Sequence, residues 1–437
     1  PSTPGLPAGP LQPSVGYNRH GCGPAVLGVR KPRPEGPGRD PQQEDQMTVQ
    51  QLPGSHVQQR VVELRRTLHR RPELAFHEAE TARTLMGELD RLGIDDPYDG
   101  VGSAVVGRLP GPPGSPVVAL RAEMDALPAT EKTGLAFASE IPGRMHACGH
   151  DAHMAMVMGA AALHRADPPP GTVVYLFQPA EERGGGARVP LEAGVLDDVQ
   201  AIFAGHVTHH YRVGEIMVTP GTVTAHSDGF RIHVCGKGGH GARPHEAVDA
   251  VIVVGMLIGS IQSLVTREID PVHPSVVTIG RIEAGSASNV IAEEAVLEGT
   301  IRTTRPEVRK HIHLGLSRLC RAASELHRAE VSVEIRGGYP PVVNSEREAR
   351  IAAAAAEQVV GREGIVVQEH PSMGSEDFGF LLQRIPGCYV RLGTRGEDDV
   401  YIPLHSPHFD VDEGVLPVGV AYFDAVVRSA IRQLADE

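Results

Sequence analysis

The chain has 437 residues and a formal net charge of −13, because 41 Lys and Arg face 54 Asp and Glu. This acidic balance, without any run of about five or six basic residues, argues against a nucleic-acid partner and an anionic membrane surface, and favours small-molecule chemistry. No stretch approaches the roughly 20 apolar residues of a membrane span. The five cysteines are odd in number and widely spaced, which argues against a disulfide framework and predicts a cytoplasmic protein.

The first segment, residues 1–46, is crowded with Pro and Gly and has neither helical nor strand periodicity. This composition predicts a disordered tail. Patterned sequence begins just after Met47, so we expect the tail to lie outside the functional enzyme and its deletion to leave activity unchanged. The remaining length favours two domains.

Two helices open the patterned sequence. From about residue 55, Val61, Leu64 and Leu68 recur at helical spacing, and Pro72 ends the pattern. The second helix, EAETARTLMGELDRLG, is closed by Gly93.

Apolar strands alternate with helices after this point. SAVVGRL and PVVALRAEMDALP are predicted to be neighbouring strands, and GTVVYLFQPAEE a buried strand that follows a helix opening near residue 149. This alternation predicts an α/β fold whose mixed sheet carries helices on both faces. We assign residues 47–221 to the first part of a catalytic domain.

The pattern changes between residues 222 and 338, where strands and helices follow in the order βαββαβ. This order is that of a ferredoxin-like domain, which forms a compact unit by itself. Residues 339–437 resume helix and strand and are predicted to complete the catalytic domain. The smaller domain is therefore expected to be an insertion in the larger one.

Polar side chains cluster after the apolar strands, where open α/β sheets bind their ligands. The segment MHACGHDAHM, residues 145–154, adds cysteine and histidines at the start of a helix. The candidates for metal binding or its support are Asp125, Cys148, His150, Glu181, Glu182, His206 and His405. Cysteine, histidine and glutamate together suit Zn, Mn or Ni better than Ca or Mg.

Each candidate also has an ordinary structural explanation. Glu181 and Glu182 could be an exposed charged pair, His206 and His405 solvated histidines, and Asp125 a turn residue. Independent surface residues would not all follow apolar strands, so the joint pattern favours a metal site.

Eight segments resemble, in order, the blocks of the amidohydrolase branch of the aminoacylase-type metallopeptidases. They are LHRRPELAFHEAET, RAEMDALP, MHACGHDAHMAM, LFQPAEE, GKGGHGARPHEAVDA, SASNVIAEEAVLEGTIRT, MGSEDFGF and PLHSPHFDVDE, and they extend from about residue 60 to 425. That branch includes hippurate hydrolases, N-acyl amino acid deacylases and indole-acetyl-amino acid hydrolases. The resemblance implies a zinc-exopeptidase-like catalytic domain with two adjacent divalent ions per subunit, Zn, Mn, Co or Ni, and an inserted lid or dimerisation domain.

The resemblance also implies roles for the catalytic-domain residues. Glu181 matches the general base that activates a water, and Asp125 a supporting carboxylate that orients a ligand. The implied metal ligands are Cys148, His150, Glu182, His206 and His405.

The lid supplies further implied residues. His240 matches a group that polarises the scissile carbonyl, and Asn289 and Arg302 match positions that hold the substrate's α-carboxylate. A homodimer or tetramer through the lid is implied as well, and sequence leaves open whether His240 serves its own subunit or a partner.

Two departures from the family pattern concern the site. Glu123 stands where the family usually has Asp, which predicts altered packing behind the ligands. Thr208, His209 and His210 replace a loop that commonly carries an aromatic residue and a proline, which predicts a changed acyl pocket.

The sequence therefore predicts hydrolysis of N-acyl amino acids to a carboxylate and a free amino acid. The alternatives are a dipeptidase or carboxypeptidase with the same machinery, a binding protein without activity, and an amidase whose nucleophile is Cys148 with His150.

Overall fold

A computed structural model describes residues 54–96 and 103–437. The predicted tail, residues 1–46, lies outside this described part. The helices are α1 (Ser55–Arg70), α2 (Ala79–Leu92), α3 (His150–Ala166), α4 (Arg188–Glu192), α5 (Ala250–Glu268), α6 (Pro306–His327), α7 (Glu346–Val360), α8 (Phe378–Leu382) and α9 (Val415–Ala435), with a 3-10 turn at Pro244–Glu246.

The longer strands form the two main sheets, and the shorter ones extend or connect them. The strands are β1 (Val105–Leu109), β2 (Val117–Glu123), β3 (Thr172–Gln178), β4 (Ala201–Arg212), β5 (Ile216–Met217), β6 (Gly221–Thr222), β7 (His226–Cys235), β8 (Gly239–His240), β9 (Ser275–Ala284), β10 (Val290–Ile291), β11 (Glu294–Thr303), β12 (Glu330–Gly337), β13 (Val343–Asn344), β14 (Ile365–Val366) and β15 (Gly387–Arg395).

A seven-stranded mixed sheet, in the order β1-β3-β2-β4-β15-β5-β14, forms the centre of the larger part. Its middle strands β3, β2, β4 and β15 are parallel, whereas β1 and β5 pair antiparallel with their neighbours. The sheet therefore combines strands from before and after the inserted segment, as the sequence predicts.

The prediction that the first two strands are neighbours is wrong. β3 lies between β1 and β2, antiparallel to one and parallel to the other. The Pro- and Gly-rich connection at residues 110–116 exceeds the usual hairpin loop of about 2–5 residues, so it does not impose a hairpin. The helical crossover α3 then brings β3 back into the gap.

Alternating residues of the central strands enter two different cores. In β3, Tyr175 and Phe177 pack with residues of α1, α2, α3, α7 and α9 on one face. Val174 and Leu176 pack on the other face with Phe378 of α8. Because successive side chains of a strand point to opposite faces, a strand that is apolar throughout requires cover on both sides. The predicted fold class is thus confirmed.

The four-stranded sheet, in the order β12-β7-β11-β9, is antiparallel at every pair. Phe230, Ile232 and Val234 of β7 face α5 and α6, and the intervening residues are less buried. This is the predicted ferredoxin-like βαββαβ arrangement. We call this sheet with α5 and α6 the lid; its boundaries at residues 222 and 338 stay a prediction.

One helix of the described part, α5, is long and apolar enough by length and composition to span a membrane. The expectation that no stretch approaches the length of a membrane span therefore does not hold for α5. Val253, Leu257 and Ile261 of this helix are buried in the core of the lid, so packing within the domain accounts for part of its apolar character.

Candidate active site

A cavity of ≈ 460 Å³ collects most of the predicted site residues. Six of them line it, namely Cys148, Glu181, Glu182, His206, Arg302 and His405. The side chains arrive from the start of α3, from the loop that follows β3, from β4, from the lid and from the loop between β15 and α9. The structure therefore brings together residues separated by more than 250 positions in sequence.

A left-handed glycine separates Cys148 from His150 at the start of α3. Gly149 has φ 80, and a Cβ atom there would lie 2.3 Å from Val207 Cγ2. Only glycine suits both constraints. This turn directs the Cys148 thiol and the His150 imidazole into the same site.

The tautomer of His150 follows from its hydrogen bond. Nδ1 lies 2.8 Å from the main-chain oxygen of Asp125 and must donate to it, which leaves a lone pair on Nε2. That Nε2 is buried and has no hydrogen-bond partner among the described residues. A buried nitrogen with an unused lone pair is suited to a metal ion.

His206 lies inside β4, which continues to Arg212, so the prediction that it follows the end of its strand is wrong. The alternation of β4 turns this side chain into the cavity instead. Nδ1 donates to the Val207 oxygen at 2.7 Å, and Nε2 faces Cys148 Sγ at 3.4 Å. The main chain again leaves Nε2 available as a ligand.

Glu123, the first departure from the family pattern, supports β4 from behind. Its Oε2 accepts a hydrogen bond from His153 Nδ1 at 2.8 Å. The opposite nitrogen, Nε2 of His153, accepts from the Val207 N–H at 2.9 Å. Glu123 therefore fixes the strand position next to His206.

Asp125 organises the loop after β3. Oδ1 accepts from the Glu181 N–H at 3.1 Å, and Oδ2 accepts from the Glu182 N–H at 2.9 Å. Ala180, just before them, has φ 53, a costly conformation for a residue with a side chain. The buried carboxylate of Asp125 thus stabilises a strained turn that presents both glutamates to the cavity.

His405 comes from the loop between β15 and α9. It has φ 68, and its N–H donates to the Ala147 oxygen at 2.8 Å, beside Cys148. Its Nε2 lies 3.1 Å from Glu182 Oε1. The loop therefore holds His405 in a strained conformation against a carboxylate, an arrangement typical of functional sites.

Negative charge accumulates at the bottom of the cavity. Burial, and then repulsion from Glu376 and Glu182, raises the pKa of Glu181 well above its usual value. Burial, and then Glu182 and Glu181, also raises the pKa of the Cys148 thiol. Both groups would ionise readily only with additional positive charge nearby, which divalent cations supply.

The donor atoms form overlapping groups. Within each of three groups the ligand atoms lie within 4.8 Å of one another: Cys148, His150 and His206; Cys148, Glu182 and His405; His150, Glu181 and Glu182. Because Cys148, His150 and Glu182 each belong to two of these groups, the geometry fits two adjacent ions. Sulfur, imidazole and carboxylate donors are those of transition-metal sites.

The predicted lid residues divide between two places. Arg302 of β11 reaches the cavity, where its Nη1 donates to Ser375 Oγ at 3.0 Å. His240 and Asn289 lie together in the exposed pairing of β8 with β10, and neither lines the cavity. The structure thus separates two of the predicted substrate contacts from the metal-binding groups.

Sequence reasoning missed several residues in the cavity and directly behind it. The Tyr339 hydroxyl donates to the main-chain oxygen of Glu181 at 2.5 Å. Fully buried Arg121 pairs with Glu376 at 2.9 Å and with Asp377 at 2.7 Å. Both acids lie in MGSEDFGF, one of the segments that resemble the family. The resemblance is therefore the available sequence signal for Glu376 and Asp377, although it gives neither of them a role.

Comparisons with known proteins agree with this geometry. The model of peptidase family M20/M25/M40 matches residues 119–429. The chain is 39% identical over 384 residues to IAA-amino acid hydrolase ILR1-like 4 of Arabidopsis thaliana, covering 86% of each protein. It is 38% identical over 367 residues to thermostable carboxypeptidase 1 of Saccharolobus solfataricus, covering 82% of this chain and 92% of the relative.

A solved structure gives the same result for the fold. The YXEP protein of Bacillus subtilis, described as a dinuclear metal-binding peptidase of the M20 family, is 34% identical with a TM-score of 0.75, covering 87% of this chain and 99% of that one. The resemblance predicted from the sequence is therefore confirmed: the chain belongs to peptidase family M20/M25/M40 and is a hydrolase of amide bonds.

Proposed function

We propose that this enzyme cleaves the amide bond of N-acyl amino acids, releasing a carboxylate and a free amino acid. The observation that carries the proposal is the cavity in which the paired donor groups, Glu181 and the Arg302 guanidinium meet. A relative named as an IAA-amino acid hydrolase supports this substrate class.

Two divalent ions would be held by Cys148, His150, Glu182, His206 and His405. Zn, Mn, Co and Ni all suit these donors. Bound there, the ions would supply Lewis acidity toward the scissile carbonyl and the attacking water.

Glu181 is the proposed general base. It removes a proton from the attacking water and later delivers that proton to the leaving amine. Its neighbour in sequence is the proposed ligand Glu182, and the Asp125 carboxylate fixes the main chain of both. Glu181 is thereby held next to the proposed ligand Glu182 and would remain free to act as the base.

Arg302 is the proposed partner of the substrate's α-carboxylate, since its planar donor fork suits a carboxylate. Asn289 and His240 are proposed to complete this contact and to stabilise the oxyanion. Because they lie outside the cavity, they would act after lid closure or from a second copy in a homodimer or tetramer formed through the lid.

We also place the enzyme in the cytoplasm, because the cysteines of the described part form no disulfide bond.

Hydrolysis assays test the proposal directly. Purified enzyme is given N-benzoylglycine and N-acetyl amino acids before and after exhaustive chelation, and Zn, Mn, Co and Ni are added back singly. Loss on chelation and recovery with an ion is the expected result. Turnover that survives complete metal removal would overturn the ligand assignment.

The role of Glu181 has a separate test. Glu181→Gln should abolish turnover while metal content, measured by elemental analysis, stays nearly that of the wild type. Retained turnover would refute the role of Glu181 as the base.

A peptidase acting on dipeptides is the second candidate, supported by the relative named as a carboxypeptidase. Comparing kcat/KM for N-acetylalanine and for alanyl-alanine separates the two substrate classes.

A nucleophilic Cys148 would have His206 Nε2 at 3.4 Å as its base, but the raised thiol pKa opposes activation. Its signature would be resistance to chelators.

A further inference from the structure

Two parallel strands form one wall of the cavity. His206, Thr208 and His210 of β4 line it at every second position, and Tyr389 and Arg391 of β15 do the same. Arg391 lies in register with His206 on the neighbouring strand. Side chains at such paired positions share a face and lie roughly 5 Å apart at their bases, so Arg391 extends into the cavity beside a proposed metal ligand.

The guanidinium of Arg391 makes no hydrogen bond or ion pair with any residue of the described part. In contrast, the fully buried Arg121 has carboxylates within 3 Å. Arg395, four residues along the same strand, pairs with Asp399 at 3.0 Å. Arg391 is half-buried, and a partly desolvated cation without a counterion carries an energetic penalty that an anionic ligand would offset.

The charge of Arg391 acts on a neighbouring residue of this wall. Burial, and then repulsion from Arg391 and Arg395, lowers the pKa of His210. His210 is therefore less able to become a cation that would compete with Arg391 for an anion.

The lid contributes a second guanidinium to the cavity. Arg302 arrives from the lid and is anchored by the neutral hydroxyl of Ser375, so it too retains donors for a carboxylate. The two arginines come from different sheets and line the same cavity. One carboxylate of a simple N-acyl amino acid would engage one of them and leave the other without a partner.

We propose that Arg391 binds a second carboxylate of the substrate, so that the preferred substrates are N-acyl amino acids with two carboxylates. This inference rests on the proposed function, in which Arg302 takes the α-carboxylate. The second carboxylate belongs either to the acyl group or to the amino acid side chain, and both place the same chemistry against the Arg391 fork.

Matched substrates distinguish these sources. N-succinylalanine is compared with N-butyrylalanine, and N-acetylglutamate with N-acetylglutamine, in the metal-loaded enzyme. A charge-assisted pair predicts roughly 10- to 100-fold higher kcat/KM for the dianion in at least one comparison. Preference in the first pair assigns the carboxylate to the acyl group, and preference in the second assigns it to the side chain.

Variants connect the preference to the residue. Arg391→Gln should remove the preference, Arg391→Lys should retain part of it, and Arg395→Gln, which removes an equal charge from the same strand outside the cavity, should leave it intact. A preference that persists in Arg391→Gln, or is absent from the wild type in both pairs, would overturn the inference.

Calorimetry with glutarate and butyrate keeps the inference independent of turnover. The wild type should bind glutarate roughly 10-fold or more tightly than butyrate, and Arg391→Gln should bind them alike. If no N-acyl amino acid is hydrolysed, the proposed function fails, and this binding result still decides the inference. Equal binding of both acids by the wild type would contradict it.

Discussion

Replacing Asp125 by asparagine tests how its carboxylate orients the two glutamates. The carboxylate accepts from two main-chain N–H groups, at 3.1 Å from Glu181 and 2.9 Å from Glu182. Asparagine has nearly the same shape but only one acceptor oxygen. Its side-chain NH2 group would face the second main-chain N–H, and two donors cannot form a hydrogen bond. The hydrogen bond of His150 to the main-chain oxygen of Asp125 is not removed by this change, whereas the charge of Asp125 Oδ1, 3.4 Å from His150 Nδ1, is lost.

The expected magnitude follows from these bonds. A hydrogen bond to a charged group contributes about 1.5–3 kcal/mol, and an unsatisfied buried N–H costs a similar amount. Asp125→Asn should therefore lower both metal affinity and kcat by about 10- to 100-fold, the range found for partners that orient metal ligands. The loss concerns the turn that holds Glu181 and Glu182 and not the ligand atoms themselves.

The assay combines metal titration, steady-state hydrolysis and urea unfolding of the metal-free protein. Asp228→Asn is the matched control, because Asp228 is equally buried but pairs with Arg309 and His313 in the lid. The control should lose stability without losing metal affinity. If Asp125→Asn stays folded and keeps metal affinity and kcat within about threefold, the orientation argument is refuted.

Three further predictions concern the support of the site. Arg65→Met should lower the free energy of unfolding by about 3–5 kcal/mol in urea titrations, because Asp151, 3.1 Å away, becomes a buried charge with one cation fewer; a loss below about 1 kcal/mol would contradict this. Burial lowers the pKa of His69, but Asp151 raises it more, to about 9 from 6.5. The raised pKa stabilises the folded protein by about 3 kcal/mol below pH 6.5, and this contribution is lost as the pH rises through about 9. His69→Gln should therefore reduce the pH dependence of the free energy of unfolding over this range. Gly149→Ala should reduce metal affinity in titrations, since its Cβ would meet Val207, and unchanged affinity would count against the strained turn.

Local patterns predicted the elements whose structure depends on local physics. The second helix ends at Gly93, which has the expected left-handed φ of 64. The βαββαβ order of the lid followed from strand alternation and helical spacing alone. These features are set by short-range periodicity and by the conformational freedom of glycine.

Features that depend on long-range pairing were not predictable in this way. The insertion of β3 between β1 and β2 requires knowing which strands pair. His206 was expected past a strand end because the apolar run stops there, but β4 continues through polar residues that face the cavity. Tyr339 and Arg121 become site residues only through contacts across the fold, for which a single sequence carries no spacing signal.

Main-chain oxygens and N–H groups position the proposed imidazole ligands more than other side chains do. His150 is held by the Asp125 oxygen, His206 by the Val207 oxygen, and the main chain of His405 by the Ala147 oxygen. Such a site is arranged before any ion binds, because these groups are fixed by the sheet and by strained turns. In the proposals made above, substrate selection is left to side chains such as Arg302 and Arg391, which can change without disturbing the proposed ligands.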